Sequence, residues 1–202
     1  MNSRLHRLAA TGLLAGVLLT GCFATSPQVS YYSLYAPAQK PASTATTTGS
    51  LGLSVGPVTI PDILKQEKIA TGGADGRYRT AEYHRWSGEL DRDLARAVAE
   101  QLAGNLGTER VAIFPWDQTF VADCRVYLDI LSMGGEVGKE ATLNVRWALG
   151  KPGEAQPLLI RRSDLRETPA EAGYGAWVTA QQRNLAKLGQ EIATAIRENV
   201  KP

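Results

Sequence analysis

The chain has 202 residues, with 22 Lys+Arg against 20 Asp+Glu and a formal net charge of +2. About 150 residues suffice for one domain with a real core, so the length admits one domain and leaves a surplus. The excess charge comes from Arg4 and Arg7; without them the chain is neutral, with no basic field to hold nucleic acid.

The surplus starts at the N-terminus. Arg4, His6 and Arg7 precede an apolar or small run at residues 8–20, carried by Leu13, Leu14, Val17, Leu18 and Leu19. A spanning helix needs about 20 apolar residues. A shorter run behind positive charge marks a secretory signal peptide. It ends in Leu19-Thr20-Gly21-Cys22, which has the form of a bacterial lipobox: an apolar residue, two small ones, then cysteine. Small residues admit the peptidase to the backbone, the thiol takes a diacylglyceryl group, and cleavage leaves Cys22 as the first mature residue. One acyl chain binds a membrane marginally, whereas two or three, at about 0.8 kcal/mol per buried methylene, make release negligible. Phe23 stands where Asp would retain an enteric-type lipoprotein in the inner membrane. The expectation is therefore an outer-membrane anchor with the domain facing the periplasm.

Residues 22–50 read as a tether. The stretch at 40–50 is Pro, Ala, Ser, Thr and Gly, too poor in apolar bulk to fold. Before it, Tyr31-Tyr32-Ser33-Leu34-Tyr35 has strand propensity and is expected to dock on the domain as an edge strand.

The domain proper spans 51–202. Leu51, Leu53 and Val55 alternate, Gly56-Pro57 interrupts, and Val58 and Ile60 resume, which predicts a kinked strand. Residues 66–71 and 77–83 flank a glycine-rich tip and predict a hairpin. Leu90, Leu94, Val98, Leu102 and Leu106 then recur every four residues, predicting an amphipathic helix over 88–106. Ser87 is its expected N-cap, Glu89, Asp91 and Asp93 suit its positive end, and Gly107 its C′ position. Strands are predicted at 110–114, 119–133, 140–149 and 157–164. A closing helix over 174–199 presents Trp177, Val178, Gln181, Leu185, Leu188, Ile192 and Ile196 on one face. Consecutive strands between the two helices exclude repeated βαβ units. The predicted fold is α+β: a single domain with a mixed, mostly antiparallel sheet and both helices packed on one face.

Material for catalysis is thin. Once His6 leaves with the signal peptide, His84 is the one remaining histidine, and Cys124 the one free thiol, so no intramolecular disulfide forms. Cys124 alternates with Val126, Leu128 and Ile130, which predicts a buried small apolar side chain. One His and one buried Cys supply too few ligands for zinc. No Gly-x-Ser-x-Gly turn supports a nucleophile, and Gly72, Gly73 and Gly76 do not precede a helix as a phosphate loop must. Asp91 with Asp93, or Glu136 with Glu140, are carboxylate pairs of a kind found in almost any domain. No catalytic residue, cofactor or metal is expected. Among the aromatic residues, Trp147 and Trp177 belong to core faces. Trp86 and Trp116 lie at element junctions, where an exposed ring would touch lipid, glycan or a partner.

Five segments, in order, give the chain a resemblance to a known family: the lipobox cysteine; Tyr31-Tyr32-Ser33-Leu34; Leu53-Ser54-Val55-Gly56-Pro57-Val58-Thr59-Ile60-Pro61 with Leu64; Tyr83, Arg85 and Trp86 leading into Leu90; and residues 111–116 with their Phe-Pro-Trp ending. The Trp147 strand and the closing helix fit as well. The chain resembles the ABC-type transport auxiliary lipoproteins, whose best-known branch is PqiC-type. It departs from them at Leu64-Lys65-Gln66-Glu67, where the family often carries an Asp-Arg-type pair. The resemblance implies a partner, not a reaction: an outer-membrane component of an MCE-type system that moves phospholipid or other apolar molecules across the periplasm. The implied partners are an MCE-domain periplasmic protein, its inner-membrane transport partners, and outer-membrane lipid through acylated Cys22. A homo-oligomeric ring would suit such a conduit. The rival readings are a structural lipoprotein that binds peptidoglycan or a secretion assembly, and a periplasmic hydrolase.

Overall fold

The computed structural model describes residues 27–35, 51–73, 75–116 and 120–200. Cys22, the expected signal peptide and the stretch at 40–50 lie outside the described residues. The elements run β1 (Ser30–Tyr32), β2 (Leu53–Thr59), a 3-10 turn (Asp62–Leu64), β3 (Lys68–Gly72), β4 (Tyr78–Trp86), α1 (Leu90–Leu106), β5 (Val111–Ile113), β6 (Cys124–Gly134), β7 (Ala141–Gly150), β8 (Pro157–Glu167) and α2 (Tyr174–Asn199).

The strands form two sheets, ordered β1-β4-β3 and β5-β2-β6-β7-β8, where the sequence suggested one. The division falls after β2. Pro61 and the 3-10 turn swing the chain away and bury Leu64, and the end of β3 then touches the other sheet at the isolated Gly72–Gly135 bridge, just past β6. The predicted α+β single domain stands, but parallel pairs take a larger share than expected: β1–β4, β2–β5 and β2–β6 are parallel, while β3–β4, β6–β7 and β7–β8 are antiparallel. The kink at Gly56-Pro57 appears as a register shift between Val55 and Val58 against β6.

Period-two patterning places the core. Ala141, Leu143, Val145, Trp147 and Leu149 face inward from β7, and Cys124, Val126, Leu128 and Ile130 from β6, because successive strand side chains alternate faces. Both helices cover that face. Every residue of the predicted α2 stripe is buried. The helices approach closely at Gly189, where a Cβ would lie 2.4 Å from Gln101 Cβ. Two polar residues interrupt the α2 stripe and donate from it: Gln181 Nε2 to the carbonyls of Gly134 and Thr142 at 3.1 Å each, and Asn184 Nδ2 to that of Ala141 at 3.0 Å, while Asn184 Oδ1 is buried without a partner. They fasten α2 to the ends of β6 and β7.

Helix α1 starts at Leu90, two residues after the expected start, and Ser87 is not its cap. The Ser87 N–H donates to the Tyr32 carbonyl at 2.8 Å, extending the β1–β4 pairing, and Glu89 takes the N-cap position without a side-chain bond. Gly107 ends the helix in the left-handed conformation, φ 65°, as expected. Strand β1 lies on the edge of its sheet beside β4. The residues after it are fastened to both helices: Leu34 is buried, its N–H and the Ser33 hydroxyl donate to the Asp93 carboxylate, and Gln182 Nε2 donates to the Ser33 carbonyl.

Candidate functional site

Three of the segments singled out in the sequence converge on one groove. Residues 56–60 of β2 and its continuation form one wall, the first turns of α1 with Leu90 and Ala95 form another, and Phe114-Pro115 close the third side. The groove encloses about 630 Å³. Its lining is mostly apolar, and Phe114 is 48% exposed within it.

The local sequence explains this exposure. β5 runs parallel to β2 with Ile113 opposite Val55, and the Phe114 N–H donates to the Val55 carbonyl at 2.9 Å, which brings Phe114 beside Gly56. Gly56 has φ 111°, and a Cβ there would stand 2.8 Å from Phe114 Cβ; only glycine suits both constraints. Pro115 lacks an N–H and stops the strand. Trp116 stands edge-on to Phe114, with centroids 5.2 Å apart, and the Arg125 guanidinium lies 5.1 Å from its ring centroid. Two rings and a cation thus follow one another at the groove's edge, with Phe114 outermost.

Lys65, Glu89, Asp91 and Arg92 stand at the groove's rim, and two ion pairs form there. Lys65 Nζ is 2.7 Å from Asp62, and Arg92 Nε is 2.8 Å from Glu89. The Lys65 hydrogen bond holds the Asp62 carboxyl below the usual range. The groove therefore offers a mostly apolar interior inside a charged rim, suited to an apolar side chain or segment.

Of the two tryptophans considered for partner or lipid contact, only Trp116 lies near this groove. Trp86 is removed from the surface and is a correction to that expectation: it is 4% exposed, its N–H donates to the Glu67 carbonyl, and its ring meets Trp177 at 6.5 Å. Trp86 is the last residue of β4, and the turn into α1 folds it beneath α2. Trp147 and Trp177 are core residues as predicted. Phe114 was missed as a site residue. Its signal was the Phe-Pro-Trp string, since an apolar ring just before a strand-ending proline has no next strand position to bury it.

The reactive side chains are engaged elsewhere. His84 Nδ1 is 2.9 Å from the Tyr32 hydroxyl, and the ring stacks on Tyr174 at 4.2 Å, a structural role. Cys124 is buried, and burial above all pushes its thiol up to about 11, far from a thiolate nucleophile at neutral pH. Ser163 accepts from Trp147 Nε1 at 2.9 Å and donates to Glu191, with no histidine in the chain of contacts. Glu136 pairs with Lys139 and Glu140 with Arg166; Asp93 accepts from Ser33 and Leu34, while Asp91 lines the groove, so neither carboxylate pair acts as a pair on one site. Among the described residues no group of three or more His, Cys, Asp and Glu is placed to hold a metal, and no helix is long and apolar enough to cross a membrane.

The fold is a mixed α+β domain that carries an apolar groove. Residues 32–193 match the family of ABC-type transport auxiliary lipoprotein components, and the chain belongs to that family. It is 24% identical over 188 residues to the intermembrane transport lipoprotein PqiC of Escherichia coli strain K12, covering 93% of this chain and 95% of that one; the Shigella flexneri protein of the same name matches equally. Among solved structures, one described only as an uncharacterized protein superposes with a TM-score of 0.66 at 20% identity, over 84% of this chain and 99% of that chain. A Xanthomonas campestris protein does so with a TM-score of 0.61 at 14% identity, over 74% and 85%. Both share the fold. The chain is thus an auxiliary lipoprotein component of a transport system.

Proposed function

We propose that this protein is a non-catalytic lipoprotein, anchored through Cys22 to the outer membrane, that docks the periplasmic end of an MCE-type conduit for lipid passing between the two membranes. The observation that carries this reading is the groove. Residues 56–60, the start of α1 and Phe114-Pro115 are far apart in sequence, yet they build one apolar recess with a half-exposed Phe at its edge. Such a recess accepts an apolar segment of a protein partner, since buried aromatic anchors dominate interface energetics. The family, and the intermembrane transport named for its curated relatives, supply the system in which such a partner would be found. The lipobox, Phe23 after Cys22 and the neutral mature charge agree with a tethered periplasmic domain.

The test is site-specific photocrosslinking. A photoreactive phenylalanine analogue at position 114, in the full lipoprotein in its own envelope, is expected to crosslink an MCE-domain protein, and Phe114→Ala is expected to abolish co-purification of that protein. Recovery of cell-wall fragments or secretion components without an MCE protein would overturn the reading.

A further inference from the structure

The register of β1 fixes the end of the domain at which the upstream chain enters. Ser30 stands opposite His84 in a parallel pairing, so the chain upstream of Ser30 runs back along β4 toward Tyr78 and the hairpin tip. His84 stacks on Tyr174, the first residue of α2. Gly72 bonds Gly135 in both directions, and Gly138 lies against Ala172. The hairpin tip, the turn after β6 and the loop before α2 therefore form one pole, beside the point where the anchored chain enters. At the opposite pole α2 ends beside the close of α1, where Arg197 donates to the Asn105 carbonyl.

Distances separate the two poles. Eight residues lead from Cys22 to Ser30, and at about 3.3–3.6 Å each they span at most ~26–29 Å in any conformation. Helix α2 has 26 residues and, at about 1.5 Å each, is ~39 Å long. With the far pole on the membrane, Ser30 would stand beyond the reach of its own anchor. The hairpin tip extends past Ser30 by the six residues from His84 to Tyr78, about 20 Å at ~3.3 Å per residue. With the tip on the membrane the leash is nearly used up. The segments of this pole carry Arg77 and Lys139 against Asp75, Glu136, Glu140 and Glu171, with Glu140 paired to Arg166 of β8, so zwitterionic headgroups, which carry no net charge, meet it without net repulsion.

We propose that the pole formed by the β3–β4 hairpin tip, the turn after β6 and the loop before α2 rests on the headgroups of the membrane that holds Cys22. This leaves the opposite pole, with residues 107–110 and the β7–β8 turn, directed away from it. The inference rests on the lipid anchor in the proposed function, and its test separates the two. The mature lipidated protein is reconstituted in phosphatidylcholine vesicles containing lipids brominated on the acyl chains. An environment-sensitive fluorophore is placed on single cysteines at Lys139→Cys or Ala170→Cys near the anchor, and at Glu109→Cys or Ala155→Cys at the far pole. Buried Cys124 does not compete for label in the folded protein. Flotation with the vesicles reads the anchor alone, and a chain that does not float overturns both the anchor and the orientation. In a chain that floats, quenching several-fold stronger at positions 139 and 170 than at 109 and 155 is the expected result. Equal quenching at both poles, stronger quenching at the far pole, or none anywhere overturns the orientation and leaves the anchor standing.

Discussion

The Asp93 carboxylate accepts the backbone N–H of Leu34 at 2.5 Å and the Ser33 hydroxyl at 2.8 Å. Asp93 is in the first turn of α1, while Leu34 follows β1 and is buried between the helices. One side chain thus serves the positive end of a helix and clips the anchor-proximal segment to the domain. Removing it leaves the Leu34 N–H without its acceptor. Asp93→Ala is expected to destabilise the domain by about 1–3 kcal/mol and to expose the bonds around residues 33–35 to protease while the rest resists. Urea denaturation and mapped limited proteolysis check this; unchanged protection of that segment would show that Leu34 burial alone holds it.

Gly56 and Phe114 make a paired prediction. Gly56→Ala forces a residue with φ 111° into contact with Phe114 Cβ and is expected to cost about 1–3 kcal/mol, with a changed near-ultraviolet signal from Phe114 and Trp116. Phe114→Ala, at a half-exposed position, is expected to change stability by only about 0.5 kcal/mol while removing the groove's edge. Loss of partner capture with stability kept distinguishes the docking role from a packing role.

Cys124 gives a readout of both fold and lipidation. Its thiol is buried and pushed up to about 11, and the thiolate is the reactive form. At pH 8 the folded lipidated protein is expected to be silent toward a chromogenic disulfide reagent and to release one thiol per chain on unfolding in urea. A fast-reacting thiol in the folded state would mean that Cys22 is unmodified or that β6 opens.

Glu167 ties the end of β8 to α2 through Arg183 at 2.7 Å and Lys187 at 2.6 Å. The Arg183 and Lys187 hydrogen bonds hold its carboxyl below the ordinary value of 4.5. A carboxylate whose folded value is depressed contributes stability that is full above its unfolded value and is lost as pH falls through the folded one. Glu167→Gln is therefore expected to lower stability by about 0.5–1 kcal/mol at pH 7. The gap from wild type should close progressively below pH 4.5. Urea midpoints across that range check it; a gap that persists at the acid end would assign the effect to packing.

Much of the fold was legible because its elements carry clean periods. α2 was readable to its ends, since its stripe residues recur at helical spacing and Asn199 is followed by the extended Val200. β7 was readable because Leu143, Val145, Trp147 and Leu149 alternate with polar residues and one face is buried. The Ser87 cap failed because the pairing of β4 with β1 runs on through the Ser87 N–H to the Tyr32 carbonyl and delays the helix to Leu90. Tyr32 lies far upstream, and a local signal carries no information about a contact so distant. Trp86 was ambiguous for a related reason: a ring at the junction of a strand and a helix is exposed or buried according to what crosses over it, and here α2 does.

The sequence by itself set the expectation of a lipobox at Cys22 and of a neutral chain after cleavage, and it determined the period of each strand and helix and the inward aim of Cys124. All of these depend on composition or on neighbours within a turn or a strand. Only the tertiary structure decided that the strands divide into two sheets, that Trp86 is core while Phe114 is exposed, and that Gly56, Leu90 and Pro115 share one recess. It also decided which pole lies beside the chain entering at Ser30. Those outcomes depend on pairing between segments tens of residues apart, where register and close approach, set by backbone hydrogen bonds and the space at Gly56 and Gly189, choose among arrangements that local pattern leaves equal.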